Sequence, residues 1–269
     1  MLITKNFVVL NNPKTGSSFV RKALKDLYKN NYQITILEKI GAKFYLSDNY
    51  IKELTLPNIK MADRPPDQHG TYSQIPATHK QKAVLSIIRN PYDRFLSTYE
   101  FRNWERQPPG GIKQIKKIFP HFPDLSLNDY VDLAKYSENI RNKDSSILGT
   151  QTLQFMQMFF KEPTKAIAKA DEDYFLSGTY KKDLGDIIFI RQEQLRNDLA
   201  LFLKSYDFSN NDASFILNYP NVNVTNVRSD RSNLWTSKAL AYVKKREKYL
   251  IKMLDDLGFS YNEPDNFKQ

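Results

Sequence analysis

Six consecutive residues, Pro13-Lys14-Thr15-Gly16-Ser17-Ser18, have the types and the order that hold an anion. Gly16 has no Cβ, so its backbone can approach an anion closely. Lys14 adds a mobile positive charge, and Thr15, Ser17 and Ser18 add hydroxyl donors. The apolar run Phe7-Val8-Val9-Leu10 stands before the loop, and a helical pattern from Ser17 to Tyr28 follows it. Strand, small-residue loop and helix in that order aim the first N–H groups of the helix, and the positive end of its dipole, at the bound group. The order is not that of a Walker A loop, in which the lysine follows the last glycine. Here Lys14 precedes Gly16. A tight strand–helix turn with a serine N-cap would use the same residues.

A second junction of the same kind follows the buried-strand run Ala83-Val84-Leu85-Ser86-Ile87-Ile88. It reads Arg89-Asn90-Pro91-Tyr92-Asp93-Arg94-Phe95-Leu96-Ser97-Thr98-Tyr99. Arg89 falls where the strand ends, the edge at which open α/β sheets bind ligands. Its guanidinium fork suits a phosphate. Asn90 as N-cap and Pro91 at the first helical position predict a helix from Pro91 to about Trp104. Ser97, two turns in, leans toward the helix start and could serve the same anion. Asp93 and Arg94 fit a local ion pair, and a capped helix with surface charges is the plainer reading of the segment. Two strand-end cradles in one sheet imply a ligand with two separated phosphate-like groups.

The elements that must position these residues follow from periodicity. Strands are expected at 6–11, 33–37, 83–88 and 186–190. Helices are expected at 17–30, 91–104, 112–118, 127–137, 150–160, 192–204 and, as one long basic helix, 236–257. Residues 50–62 are mixed, 63–80 mostly loop, 206–233 polar and irregular, and the tail from Asn262 loose. Strands alternating with helices predict an α/β fold with a mostly parallel sheet flanked by helices. The 269 residues suit one domain, with 105–180 as a helical insertion.

Composition narrows the function classes. The chain carries a net charge of +10, which favours anionic partners or a solvated basic surface. It has no cysteine, which excludes disulfides, thiolate metal sites and cysteine nucleophiles. No stretch approaches the apolar length of a spanning helix. With a strand expected from Asn6, no signal peptide is expected, and a cytoplasmic location is the resulting reading; a soluble domain trimmed of its anchor would look the same. The sequon Asn223-Val224-Thr225 is read as chance.

With both junctions in view, the chain resembles the PAPS-dependent sulfotransferases. PKTGSS followed by Arg21 resembles their 5′-phosphosulfate loop. RNPYDRFLSTY is similar to their 3′-phosphate motif, an arginine at a strand end with a serine eight residues on. The likeness is closer to the carbohydrate branch, Golgi-like and bacterial, than to the cytosolic phenol and steroid branch, whose late R-K-G segment is absent. Weaker similarity runs through His69-Gly70-Thr71-Tyr72-Ser73-Gln74-Ile75 and Ile190-Arg191-Gln192-Glu193-Gln194-Leu195; residues 105–180 match nothing.

The resemblance implies a P-loop-like fold and sulfuryl transfer from PAPS to an acceptor hydroxyl, on a carbohydrate or glycolipid. It makes Lys14 the stabiliser of the bridging and leaving oxygens. Thr15, Gly16, Ser17 and Ser18 would hold the 5′-phosphosulfate, and Arg89 and Ser97 the 3′-phosphate. His69 is the implied base, with His79 next among the three histidines; an imidazole suits proton removal near neutral pH. No metal is implied, and no nucleic-acid module is visible. Arg21 reads as a sulfate contact or a surface charge. Arg228, Arg231 and Trp235 fit a closing loop, or surface charge plus a core tryptophan. Lys244-Lys245-Arg246 reads as a solvated face. The rival readings are a P-loop-type kinase or NTPase and a non-catalytic polyanion binder.

Overall fold

The computed structural model describes residues 1–31, 51–58, 65–141, 147–222 and 234–264. The strand expected at 33–37, the residues Arg228 and Arg231, and the sequon lie outside them. The strands are β1 (Leu2–Thr4), β2 (Phe7–Leu10), β3 (Ile51–Glu53), β4 (Ala83–Ile88) and β5 (Ile188–Arg191). The helices begin with α1 (Ser17–Asn31), α2 (Pro91–Phe101), α3 (Asn103–Arg106), α4 (Ile112–Ile118) and α5 (Leu127–Arg141). They continue with α6 (Thr150–Phe159), α7 (Pro163–Ala168) and α8 (Glu172–Leu176). The last are α9 (Leu195–Lys204), α10 (Asn210–Asn218), α11 (Ser237–Arg246) and α12 (Lys248–Asp256).

The chain divides into two compact units. The first comprises Met1–Arg89, Met156–Ala168 and Lys181–Val224. Its sheet has the order β3-β1-β2-β4-β5. β2, β4 and β5 pair in parallel, with Leu10 opposite Ser86 and Ile88 opposite Arg191. β1 is antiparallel to both β2 and β3, so only β1 runs against the rest. The fold is therefore mixed α/β with a mostly parallel sheet. β2 is buried along its whole length, which is why it reads as an unbroken apolar run rather than an alternation. β1 went unread because it is three residues long, joined to β2 by the exposed pair Lys5-Asn6. The buried Thr4 hydroxyl pins that hairpin, donating to the Phe7 carbonyl and accepting from the Phe7 N–H.

α1 lays Phe19, Val20, Ala23, Leu24 and Leu27 on the sheet, a stripe at helical spacing. α9 adds Leu195, Leu199, Phe202 and Leu203 to the same core, and α10 adds Ala213 and Ile216. The approach to α9 is a 3-10 turn, Gln192–Gln194, where one continuous helix was expected. α10 lies inside the stretch expected to be irregular. Ser209 and Asp212 form a reciprocal capping box there, a four-residue signal legible in Ser209-Asn210-Asn211-Asp212.

The second unit comprises Asn90–Phe155, Lys169–Tyr180 and Thr225–Gln269. It is helical among the described residues, and an aromatic core holds it: Tyr92, Phe95, Trp104, Phe122, Tyr130, Trp235 and Tyr242. Trp235 is 2% exposed and packs on Tyr92 and Phe95, so it is a core tryptophan. The expected helix 91–104 breaks at Arg102, which takes a left-handed φ of 53°. The Arg102 guanidinium bonds Glu105 and the Pro123 carbonyl. The expected helix 236–257 also breaks, at Glu247, into α11 and α12. The cause is the Glu247 carboxylate, only 3% exposed, which turns inward and accepts the Gln151 and Thr152 N–H groups and the Thr152 hydroxyl. It caps the start of α6. Arg246 turns inward too, onto Glu138 and the Leu148 carbonyl, so the expected solvated face is only Lys244 and Lys245.

Candidate anion and proton-transfer site

The parallel pairing of β2, β4 and β5 brings the carboxyl ends of three strands to one edge of the first unit. The residues beyond β2 are Asn11 and Asn12, both buried, followed by the loop Pro13–Ser18. Asn12 fastens the loop to the sheet: its side-chain amide donates to the Ile87 carbonyl at 3.1 Å. Its own carbonyl accepts the Thr15 hydroxyl at 2.9 Å. Thr15 is fully buried, so its hydroxyl serves the loop here. Lys14 has φ 66°, a conformation that costs a side-chain-bearing residue about 1–2 kcal/mol. Gly16 has φ 85°, and a Cβ there would stand 2.8 Å from Leu195 Cδ2 and 3.3 Å from Gln192 Cγ. Only glycine fits, and the β5–α9 junction lies directly behind the loop.

The Phe19 N–H bonds back to the Gly16 carbonyl at 2.9 Å, so the N–H groups of Ser17 and Ser18 stand at the open start of α1. Ser17 is buried and Ser18 half-buried. Arg89 Nη1 donates to the Lys14 carbonyl at 3.2 Å. The strand-end arginine of the second junction therefore braces the strained residue of the first. Asn90 caps α2 as expected, its side chain accepting the Tyr92 N–H at 2.9 Å, with Pro91 at the first helical position. Ser97 lies on α2 in the second unit, half-buried.

His69 is joined to the same edge of the first unit. Its Nδ1 is 2.6 Å from the Asn11 carbonyl oxygen. A carbonyl only accepts, so Nδ1 carries the proton and Nε2 is the basic nitrogen of the neutral ring. The His69 N–H donates to Asp67 Oδ1 at 2.6 Å, and Asp67 Oδ2 accepts from Asn58 Nδ2 at 2.9 Å. Consecutive backbone carbonyls, those of Asn11 and Asn12, thus hold the histidine and the loop threonine. His79 is 4% exposed. Burial, then the charges of Lys82 and Lys52, hold its pKa below the ordinary imidazole value. His121 is exposed, in the second unit.

Arg21 points neither to open solvent nor into the loop: its guanidinium meets Glu53 at 2.8 Å and also Gln68 Oε1. Lys25 joins the same carboxylate at 2.9 Å. Burial pulls the Glu53 carboxyl upward, but hydrogen bonds from Lys25 and Arg21 outweigh it and hold the pKa below the ordinary carboxylate value. A carboxylate so held is a poor proton acceptor. Sequence reasoning missed the Arg21–Glu53 and His69–Asn11 pairs, whose members lie 32 and 58 positions apart with no local pattern to join them.

A cleft of about 530 Å³, lined by Asp26, Lys29, Asn211, Phe215 and Tyr219, lies between α1 and α10. Asp26 is about 14 Å along α1 from the loop, at 1.5 Å per residue, so this cleft is separate from the site.

Residues 3–257 match the model of the sulfotransferase family, nearly the whole chain. The chain belongs to the sulfotransferase family, transferases that move a sulfuryl group from a sulfonate donor to an acceptor. No curated protein and no solved structure matches it. Among the described residues no helix is long and apolar enough to cross a membrane.

Proposed function

We propose that the protein transfers a sulfuryl group from PAPS to an acceptor hydroxyl on a carbohydrate or glycolipid, on a P-loop-like sheet and with His69 as base. The observation that carries the reading is the shared edge. Lys14, the start of α1, Arg89 and His69 are tied to the ends of β2 and β4 by hydrogen bonds to Asn11, Asn12 and Lys14. The donor set fits a 3′,5′-bisphosphorylated nucleotide. Backbone N–H groups at Thr15 to Ser18, with the Ser17 and Ser18 hydroxyls, suit the 5′-phosphosulfate. Arg89 suits the 3′-phosphate, and Ser97 keeps that role from the sequence motif alone.

The acceptor oxygen attacks sulfur as its proton passes to His69 Nε2. The bond from sulfur to the 5′-phosphate oxygen breaks, and PAP leaves with the bonding pair. Lys14 offsets the charge that grows on that oxygen. These are the demands of in-line transfer: positioning, charge stabilisation and proton removal. Residues 105–180 supply the acceptor site, and no metal is required.

Calorimetry with PAP tests the donor, using adenosine 5′-phosphosulfate and Mg-ATP as controls. Tight metal-free PAP binding is expected, with the controls poor and Arg89→Ala weaker by about tenfold or more, the loss of one charge-assisted contact. Equal binding of all three nucleotides, or of none, would overturn the reading in favour of an NTPase or a polyanion binder. A panel of sugar and glycolipid alcohols with PAPS then identifies the acceptor.

A further inference from the structure

We propose that Asn11 is the positioning residue for His69, an inference that rests on the proposed role of His69 as base. The backbone of Asn11 is fixed by the sheet. Leu10, before it, pairs with Ser86 on β4 and accepts the Ser86 hydroxyl at 3.0 Å. Asn12, after it, is tied to the Ile87 carbonyl at 3.1 Å. The Asn11 carbonyl is therefore a rigid acceptor, and it receives His69 Nδ1 at 2.6 Å.

The Asn11 side chain makes a second contact with the same segment. Its Nδ2 donates to the carbonyl of Gln68, the residue before His69, at 3.1 Å. The Gln68 carbonyl also accepts from the Met1 nitrogen at 2.7 Å. Asn11 thus holds the imidazole by its main chain and the preceding peptide by its side chain. Asp67 holds the third point, the His69 N–H. Three points fix both the place and the rotation of the ring, and its tautomer.

The arrangement carries a cost in stability. Asn11 is 1% exposed, and its Oδ1 is buried with no hydrogen-bond partner among the described residues. A buried acceptor left unpaired destabilises a fold, so an apolar side chain of the same size would suit the site better on packing grounds alone. The donor of the same amide reaches the peptide that carries His69.

The direct test is ¹⁵N NMR of the wild-type histidine rings at neutral pH. His69→Ala assigns the signal among the three histidines. A ring protonated at Nδ1 is expected for His69 in the wild type; Asn11→Leu keeps the main-chain acceptor but loses the side-chain hold on the Gln68 carbonyl, so its His69 ring signals should shift and broaden. An Nε2-protonated ring in the wild type, or an unchanged ring in Asn11→Leu, overturns the proposal. The second test is a double-mutant cycle on transfer from PAPS to the best acceptor of the panel. Asn11→Leu should lower kcat about 10- to 100-fold, part of what a positioned base supplies, and leave PAP affinity within about twofold. In a His69→Ala background it should lower kcat no further. An equal loss in both backgrounds, or a matching loss of PAP affinity, would make Asn11 a structural residue. Full kcat in His69→Ala would instead remove His69 as the base, while the ring measurement still decides whether Asn11 holds it.

Discussion

Lys14 carries backbone strain at the point where the reading places charge stabilisation. Its φ of 66° is braced by Arg89 Nη1 on its carbonyl. Strain held in place by a neighbour is common where a side chain must be aimed. Lys14→Gly and Lys14→Ala should both lower kcat about 100-fold or more, since each removes the ammonium. Their stabilities should differ, because glycine relieves the left-handed backbone and alanine does not. Lys14→Gly should therefore unfold at higher denaturant than Lys14→Ala, by about 1 kcal/mol. Equal stability would show that the loop is not strained.

Glu53 couples stability to acid. Its pKa is depressed in the fold, so the stability it contributes is present above its unfolded value and lost as pH falls through the lower folded value. Acid titration of stability should be shallower in Glu53→Gln than in the wild type. An identical acid slope would mean that the Arg21 and Lys25 contacts are too screened to matter.

Among the elements, the junction of α11 and α12 departs most from local expectation, and Glu247 is the reason. A basic amphipathic run of this length reads as one helix, yet the fold interrupts it to cap another. Burial pushes the Glu247 carboxyl up, opposed by the hydrogen bonds from Gln151 and Thr152. Gly149 makes room for it: a Cβ there would stand 2.3 Å from the Arg246 carbonyl oxygen. Around the cap, Glu138 accepts from Thr150, Tyr242 and Arg246. Glu247→Ala would leave two helix-start N–H groups and a hydroxyl buried without an acceptor. It should cost about 3 kcal/mol in denaturant unfolding. A cost under about 1 kcal/mol would mean that water enters and replaces the carboxylate.

For the whole molecule, the net charge of +10 is compatible with both an enzyme and a polyanion binder, and salt separates them. PAP binding through one loop and one arginine releases few counterions. Raising salt from about 50 to 200 mM should weaken it less than about tenfold, whereas a surface contacting 6–10 phosphates would lose about 10³ or more. A slope as steep as the latter would move function from the site to the surface.

The loop Pro13–Ser18, the Arg89 junction, the cap of α2 and strands β2, β4 and β5 were legible from the sequence alone. Each is encoded within about a dozen neighbouring residues, where apolar runs, caps and a glycine act on the chain locally. The resemblance to the sulfotransferases rested on the same local motifs. The hairpin partner β1 and the edge strand β3 were not legible, because three residues make no period and only pairing with a neighbour stabilises them. The breaks at Arg102 and Glu247 needed the tertiary structure for a different reason: a side chain found buried or distant hydrogen-bond partners worth more than continuing the helix. The same holds at the site. That His69 meets Asn11, that Arg21 is taken up by Glu53, and that Arg89 braces Lys14 are contacts between residues far apart in the chain. Local sequence supplied the chemical groups; the parallel pairing of the strands decided which of them share an edge.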